Sequence, residues 1–162
     1  MVRLAMPGDS PRVARMLFDF NTEYEIETPP VDVLEPRVRG MLAAGWSRVL
    51  IAEVTGEAAG AIAGPGEPAG LGLVNFRRTV WSEGPAARLE ELYVVPGRRG
   101  EGISRALLGA VIDLAREAGA PWLELDTGQY DTAARALYES AGFTNIENDK
   151  SHGQMLYYEL EL

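Results

Sequence analysis

The sequence contains no cysteine. That absence excludes a disulfide framework, a thiolate nucleophile and a thiolate metal site, so any sulfur chemistry must come from a ligand; a cytoplasmic setting is the natural expectation. Histidine is nearly absent as well. His152 stands in a polar loop without a second ligand at metal spacing, and no metal site is expected. No apolar run approaches the roughly 20 residues of a membrane span. The opening residues Met1–Pro7 are too short for a signal peptide and read as an edge strand. Basic residues are few: 15 Lys and Arg stand against 24 Asp and Glu, a net charge of −9. Nucleic acid is therefore not expected as a partner, because phosphate neutralisation needs an excess of Lys and Arg. A cationic partner suits this balance, although acidity also serves solubility alone. No internal repeat occurs, and 162 residues are expected to form one domain spanning the whole chain.

What is present is concentrated in one stretch, Leu89 to Leu108. Leu92, Val94 and Val95 form a strand that Pro96 closes, since proline cannot donate to a ladder. Gly97, Gly100 and Gly102 free the backbone to curl, and Arg98, Arg99 and Arg105 surround the turn with positive charge. From Ile103 onward, Ala106, Leu107, Ala110, Val111 and Leu114 recur at helical spacing. A helix that starts in a glycine turn aims unpaired N–H groups at the turn, which favours an anion such as phosphate.

The remaining chain reads as alternating elements. Val2–Met6 predicts a strand, and Ser10-Pro11 the capped start of a helix running to Glu25. The acidic run Glu23, Glu25, Glu27 opposes the dipole of that helix. It reads either as a mouth for a cationic substrate or as a solvated loop. A second helix is expected over 34–44 with Pro36 in its first turn, then strands over 46–55 and 71–80. Residues 56–70 form a wide connection with room for a short strand at 58–62. Trp81 to Pro85 is turn chemistry. Strand 122–126, a short helix capped by Asp131 and ending at Gly142, and strands 143–147 and 155–160 complete the chain. The expected fold is a mixed, mainly antiparallel α/β sheet with one parallel strand pair and helices on both faces.

Two phosphate-binding designs fit poorly. A P-loop needs a lysine and a hydroxyl that this turn does not offer, and Arg105 interrupts a dinucleotide fingerprint. A third design, successive backbone N–H groups flanked by arginine, fits. Here Arg99-Gly-Glu-Gly-Ile-Ser104, preceded by Leu-Tyr-Val-Val-Pro96, resembles the acyl-CoA signature [QR]-x-x-G-x-[GA] of the GNAT superfamily of N-acetyltransferases. Ala134-Arg-Ala-Leu-Tyr-Glu-Ser-Ala-Gly-Phe143 is similar to that family's second motif, A-x-x-x-Y-x-x-x-G-F. Ser104 replaces the usual final Gly or Ala, and Asp131 stands where Asn is common, which makes a plain helix cap its more natural role.

The resemblance implies acetyl transfer from acetyl-CoA to an amine, without a metal. It implies that Tyr93, Val94 and Val95 on the strand, together with Arg99, Gly100, Glu101, Gly102, Ile103, Ser104 and Arg105, hold the cofactor, with Asp131 and Ala134 beyond. Leu89-Glu-Glu-Leu-Tyr-Val resembles the strand of spermidine/spermine-type members, whose first acid makes Glu90 the candidate base; a salt bridge to Arg77, Arg78 or Arg88 is its alternative role. Strict alternation puts Glu90 and Glu91 on opposite faces. Tyr138 is the candidate proton donor to the departing thiolate, since a phenol is ordinarily protonated at neutral pH. Glu91, Glu25 and Trp81 are candidates for the acceptor side. The partner is expected to be a small-molecule or side-chain amine. A cofactor-binding regulatory module and a protein N-terminal or lysine acetyltransferase are the alternatives, and a homodimer through a late strand edge suits the architecture.

Overall fold

The computed structural model describes residues 1–54, 66–146 and 153–160. The expected short strand at 58–62 lies outside these residues, as do His152 and most of the polar loop around it. The chain divides into two compact units, Met1–Leu125 and Asp126–Leu162.

In the first unit, β1 (Val2–Leu4), β2 (Ser47–Val54), β3 (Glu67–Arg77), β4 (Ala86–Val94) and β5 (Leu123–Glu124) form one sheet in that order. The first three pairings are antiparallel and β4–β5 is parallel. α1 (Ser10–Glu23) and α2 (Val31–Ala44) cover one face. There Val13, Ala14, Met16 and Val38 pack on Val49, Ile51, Leu71, Leu73 and Tyr93, all buried. α3 (Ile103–Glu117) covers the other face. Gly70 and Gly72 let it approach: a Cβ on Gly70 would lie 3.1 Å from Leu107 and 2.5 Å from the Tyr93 carbonyl oxygen, and one on Gly72 would lie 3.2 Å from Val111.

Several boundaries differ from expectation for local reasons. Asp9, not Ser10, precedes the first residue of α1, without a side-chain cap, and β1 stops at Leu4 ahead of the 3-10 turn Pro7–Asp9. α2 begins at Val31, a turn earlier than its apolar spacing suggests, so Pro36 sits inside it and forgoes the bond its N–H would have made. β3 starts at Glu67 and ends at Arg77, before the exposed Val80.

A polar knot closes the β1 end. Asp9 accepts from both Arg3 guanidinium nitrogens and from the Met6 N–H, each at 2.8 Å. Glu53, only 3% exposed, accepts from Arg3 at 2.7 Å and Arg12 at 3.3 Å. A buried carboxylate so paired is compensated rather than stranded. The Arg3 hydrogen bond is the main reason the Asp9 carboxyl titrates at about 2 instead of 3.8, and the same guanidinium holds Glu53 below the ordinary carboxylate range. A carboxylate depressed on folding stabilises the fold above its unfolded pKa and loses that contribution as pH falls through the folded value. Asp9 is therefore expected to contribute about 1–2 kcal/mol above pH 4, lost between about pH 4 and 2. Urea unfolding of wild type and Asp9→Asn across that window checks this: the variant is expected to be less stable near neutrality and to converge on wild type at the acid end.

The second unit holds α4 (Thr132–Ser140) and the segment after it. Asp131 caps α4, its carboxylate accepting from the Ala134 N–H at 3.0 Å, as the sequence predicts. The two expected late strands are not formed among the described residues, which give only an isolated antiparallel bridge, Ile146 to Gln154. Alternating apolar residues make a strand only where a neighbour supplies the ladder. Leu156, Tyr157, Tyr158 and Leu160 are exposed.

Candidate active site

The β3–β4 ladder slips by one residue. Leu73 faces Glu91 and Val74 faces Leu89, which leaves Glu90 as the extra residue of a bulge. One inserted residue reverses the parity of everything before it. Leu89 therefore shares its side with Leu92 and Val94, through their partners Val74, Gly72 and Gly70. Glu90 joins the Tyr93 side: it bonds Asn75 and Arg88, and Asn75 lies on the same side as Leu73 and Leu71. The expectation that Glu90 and Glu91 point to opposite faces is thus corrected, since the bulge brings both carboxylates to the α1/α2 side of the sheet.

Glu90 is held from two directions. Asn75 Nδ2 donates to its Oε1 at 2.9 Å and Arg88 Nε to its Oε2 at 3.1 Å. Of the three arginines considered as its partner, Arg88 is the one that pairs with it, while Arg77 binds Glu124 at 3.1 Å. The Glu90 side chain remains 31% exposed.

At the C-terminal end of β4 the backbone itself offers donors. The Val95 N–H is committed to the Ala69 carbonyl at 3.0 Å. Ladder alternation then directs the N–H groups of Leu92 and Val94 to the other edge of β4, where, among the described residues, β5 pairs with Ala87 and Arg88.

The chain next passes through a single 3-10 turn, Pro96–Arg98, into the glycine turn. Gly100 (φ +84°) and Gly102 (φ +80°) take left-handed conformations that a side chain would strain. Beyond the adjoining residues, no atom of the described residues lies within 4 Å of a Cβ built on Gly97, Gly100 or Gly102, so this side of the turn is open. Gly102 caps α3 and its carbonyl accepts from Ala106. The N–H groups of the first turn, from Ile103 on, have no acceptor within the helix and sit at the positive end of a 15-residue dipole. The turn therefore offers an anion several backbone donors. Ile103 and Ser104 are half-buried; Glu101 and Arg105 are exposed. Glu101 lies 3.6 Å from Arg98, which offsets the one negative charge in the turn.

Arg99 has an unexpected task. Its two terminal nitrogens bind both oxygens of Glu23 at 2.6 and 2.7 Å, and its Nε donates to the Val94 carbonyl at 3.1 Å. The Glu23 hydrogen bonds are the main reason its guanidinium is held even more firmly charged. The pair ties the turn to the end of α1 across 76 residues. Burial, with the Glu23 charge adding to it, pushes the Tyr93 phenol up; its ring packs on Phe20 at 5.3 Å. Glu25 lies just past α1 at φ +57°, and Trp81 is 85% exposed in the β3–β4 connection.

In the second unit, Tyr138 is half-buried on α4 with its ring 6.0 Å from Phe143 in edge-to-face packing. Ala134 lies one helical turn before it on the same stripe. Among the described residues no group of three or more potential metal ligands occurs, and no helix is long and apolar enough to cross a membrane.

Sequence reasoning missed Ser47 and Asn75, and it read Glu23 as part of an acidic run, not as the partner of Arg99. Ser47 and Asn75 carry one visible signal, as polar residues at positions of their strands that face the apolar core.

These features define an α/β protein that offers an anion a helix N-terminus on a turn adjoining a strand bearing two carboxylates. Comparison with known proteins makes the class specific. The family model described as Acetyltransferase (GNAT) family matches residues 13–143, and the chain belongs to that family. With the family comes the enzyme class, acetyl-CoA-dependent N-acetyltransfer. The chain is 30% identical over 153 residues to a thialysine N-epsilon-acetyltransferase of Bos taurus, covering 90% of this chain and 85% of that one. It is 34% identical over 100 residues to an aminoglycoside N(6')-acetyltransferase type 1 of Stenotrophomonas maltophilia, covering 60% and 65%. The crystal structure of a candidate acetyltransferase from Arthrobacter sp. FB24 superposes with a TM-score of 0.84 at 43% identity, over 100% of this chain and 96% of that one.

Proposed function

We propose that the protein moves the acetyl group of acetyl-CoA to a primary amine of a small molecule or an amino-acid side chain, by direct transfer in a ternary complex. The observation that carries this reading is the bulge, which gives β4 two carboxylates on one side of the sheet, beside the strand end that leads into the open glycine turn. The thialysine and aminoglycoside relatives support an amine acceptor. The sequence has no cysteine to carry the acyl group.

Each residue then has a chemical task. The N–H groups from Gly100 to Arg105 hold the diphosphate, with Arg105 adding charge, and Tyr93, Val94 and Val95 provide the strand edge alongside it. The Leu92 and Val94 N–H groups polarise the thioester carbonyl. Glu90 takes a proton from the acceptor ammonium, directly or through a water, and the neutral nitrogen forms the new N–C bond as the C–S bond breaks, giving up its second proton to solvent as the amide forms. The departing thiolate takes a proton from Tyr138, and exchange with solvent resets both groups. Glu91, Glu25 and Trp81 serve the acceptor, the two acids by matching its positive charge. Asp131 and Ala134 act by fixing the start of the helix that carries Tyr138. A single catalytic domain in the cytoplasm, without metal, nucleic acid or membrane, and able to pair with a second copy, completes the reading.

The test combines calorimetry with acetyl-CoA and thiol release against thialysine, L-lysine, spermidine, kanamycin and a lysine peptide. Micromolar binding is expected, with release well above hydrolysis for at least one free amine. Binding without release for any acceptor would make the protein a cofactor-binding module, and release with the peptide alone would make it a protein acetyltransferase.

A further inference from the structure

We propose that Asn75, anchored by Ser47, is a positioning residue for the Glu90 carboxylate; this rests on the reading of Glu90 as the base. The α1/α2 face of the sheet is apolar along Val49, Ile51, Leu71 and Leu73. At one end that pattern stops, and a row of polar side chains crosses three strands: Ser47 on β2 faces Asn75 on β3, which faces Arg88 on β4. Glu90 reaches the same row because of the bulge.

The row has a direction. The Ser47 hydroxyl, on a residue 1% exposed, donates to Asn75 Oδ1 in a short bond. Asn75 Nδ2 donates at 2.9 Å to Glu90 Oε1. An amide has one acceptor end and one donor end, so the partner of one end fixes what the other presents. With Ser47 engaged on Oδ1, the NH2 group is turned to the carboxylate. The reversed amide would set its oxygen against a carboxylate oxygen, where neither group can donate. Ser47 does not reach Glu90; its hydroxyl holds the oxygen end of Asn75, while the carboxylate, which only accepts, requires the NH2 end.

This hold does not saturate the carboxylate. An ionised carboxylate offers about four acceptor positions. Asn75 and Arg88 account for two, one on each oxygen. The others remain for an ammonium or a water, as a base requires. The two donors fix the plane of the group, and orientation of this kind governs proton transfer.

The test uses the purified full chain, the fastest acceptor of the panel above, and the variants Ser47→Ala, Ser47→Thr and Asn75→Leu in wild-type and Glu90→Gln backgrounds. Ser47→Ala and Asn75→Leu are each expected to lower kcat on the order of tenfold while leaving the acetyl-CoA Kd within about twofold. Ser47→Thr keeps the hydroxyl and is expected to recover most of the rate. In the Glu90→Gln background the same changes are expected to cost nothing further, because their effect runs through that carboxylate. Should Asn75→Leu fold poorly, the Ser47 pair carries the same comparison. Losses that multiply with Glu90→Gln, or that appear in Kd and melting temperature alone, would overturn the proposal and leave Ser47 and Asn75 as structural. If Glu90→Gln itself costs nothing, the reading of the base fails first.

Discussion

Replacing Tyr138 by phenylalanine is expected to lower kcat by about 10²-fold, a loss of about 2.7 kcal/mol of transition-state stabilisation, with the acetyl-CoA Kd within about twofold of wild type. The substitution isolates the hydroxyl. The ring contact with Phe143 is an edge-to-face packing that phenylalanine reproduces, and the backbone of Tyr138 closes α4 by accepting from the N–H groups of Ala141 and Phe143, which no side-chain change disturbs. α4 itself is fixed at its other end by the Asp131 cap. A core tyrosine with no chemical task would show the opposite pattern, a lower melting temperature and little change in turnover. Thiol release at saturating amine, with calorimetry for acetyl-CoA, separates the two. An unchanged kcat would remove Tyr138 as the proton donor and leave the thiolate to be protonated by solvent.

How far the sequence could be read depended on the range over which each feature is determined. The start of α3 was legible because it is local: a left-handed Gly102, then apolar residues at helical spacing, set it within a few positions. The Asp131 cap was legible for the same reason. The bulge was not. A strand of alternating residues looks the same with or without one insertion, and only the register against β3 shows that Glu90 is the extra residue. The error had a chemical consequence, since strict alternation separates two carboxylates that the sheet puts on one side. The Arg99–Glu23 pair was out of reach too, because its partners are 76 residues apart and each reads separately as part of a charged surface. Residues 155–160 failed for another reason. Their alternation is real, yet a strand needs a partner, and within the described residues the segment has only the bridge at Gln154 beside it.

Glu90→Gln is expected to lower kcat/KM by about 10²–10³-fold and to change the shape of the pH–rate profile, whose acid limb reports the base of the free enzyme. The competing role is a strut, and the structure makes it concrete through the 3.1 Å pair with Arg88. The two roles differ in what the Arg88 side should do. With both side chains close to 30% exposed, the ion pair is worth about 0–1 kcal/mol to the fold. Glutamine keeps one oxygen but offers an NH2 group where the second donor needs an acceptor, so it breaks one of the two contacts as well as removing the charge. Arg88→Ala breaks the ion pair and leaves the carboxylate with Asn75. If Glu90 is the base, Arg88→Ala is expected to lower turnover on the order of tenfold, as loss of the other donor does, while Glu90→Gln lowers it by about 10²–10³-fold. If the pair is a strut, both variants lose similar stability and neither loses turnover beyond that. Measuring kcat/KM across pH for both, beside their urea midpoints, decides between them, and a Glu90→Gln profile that overlays wild type would end the case for Glu90 as the base.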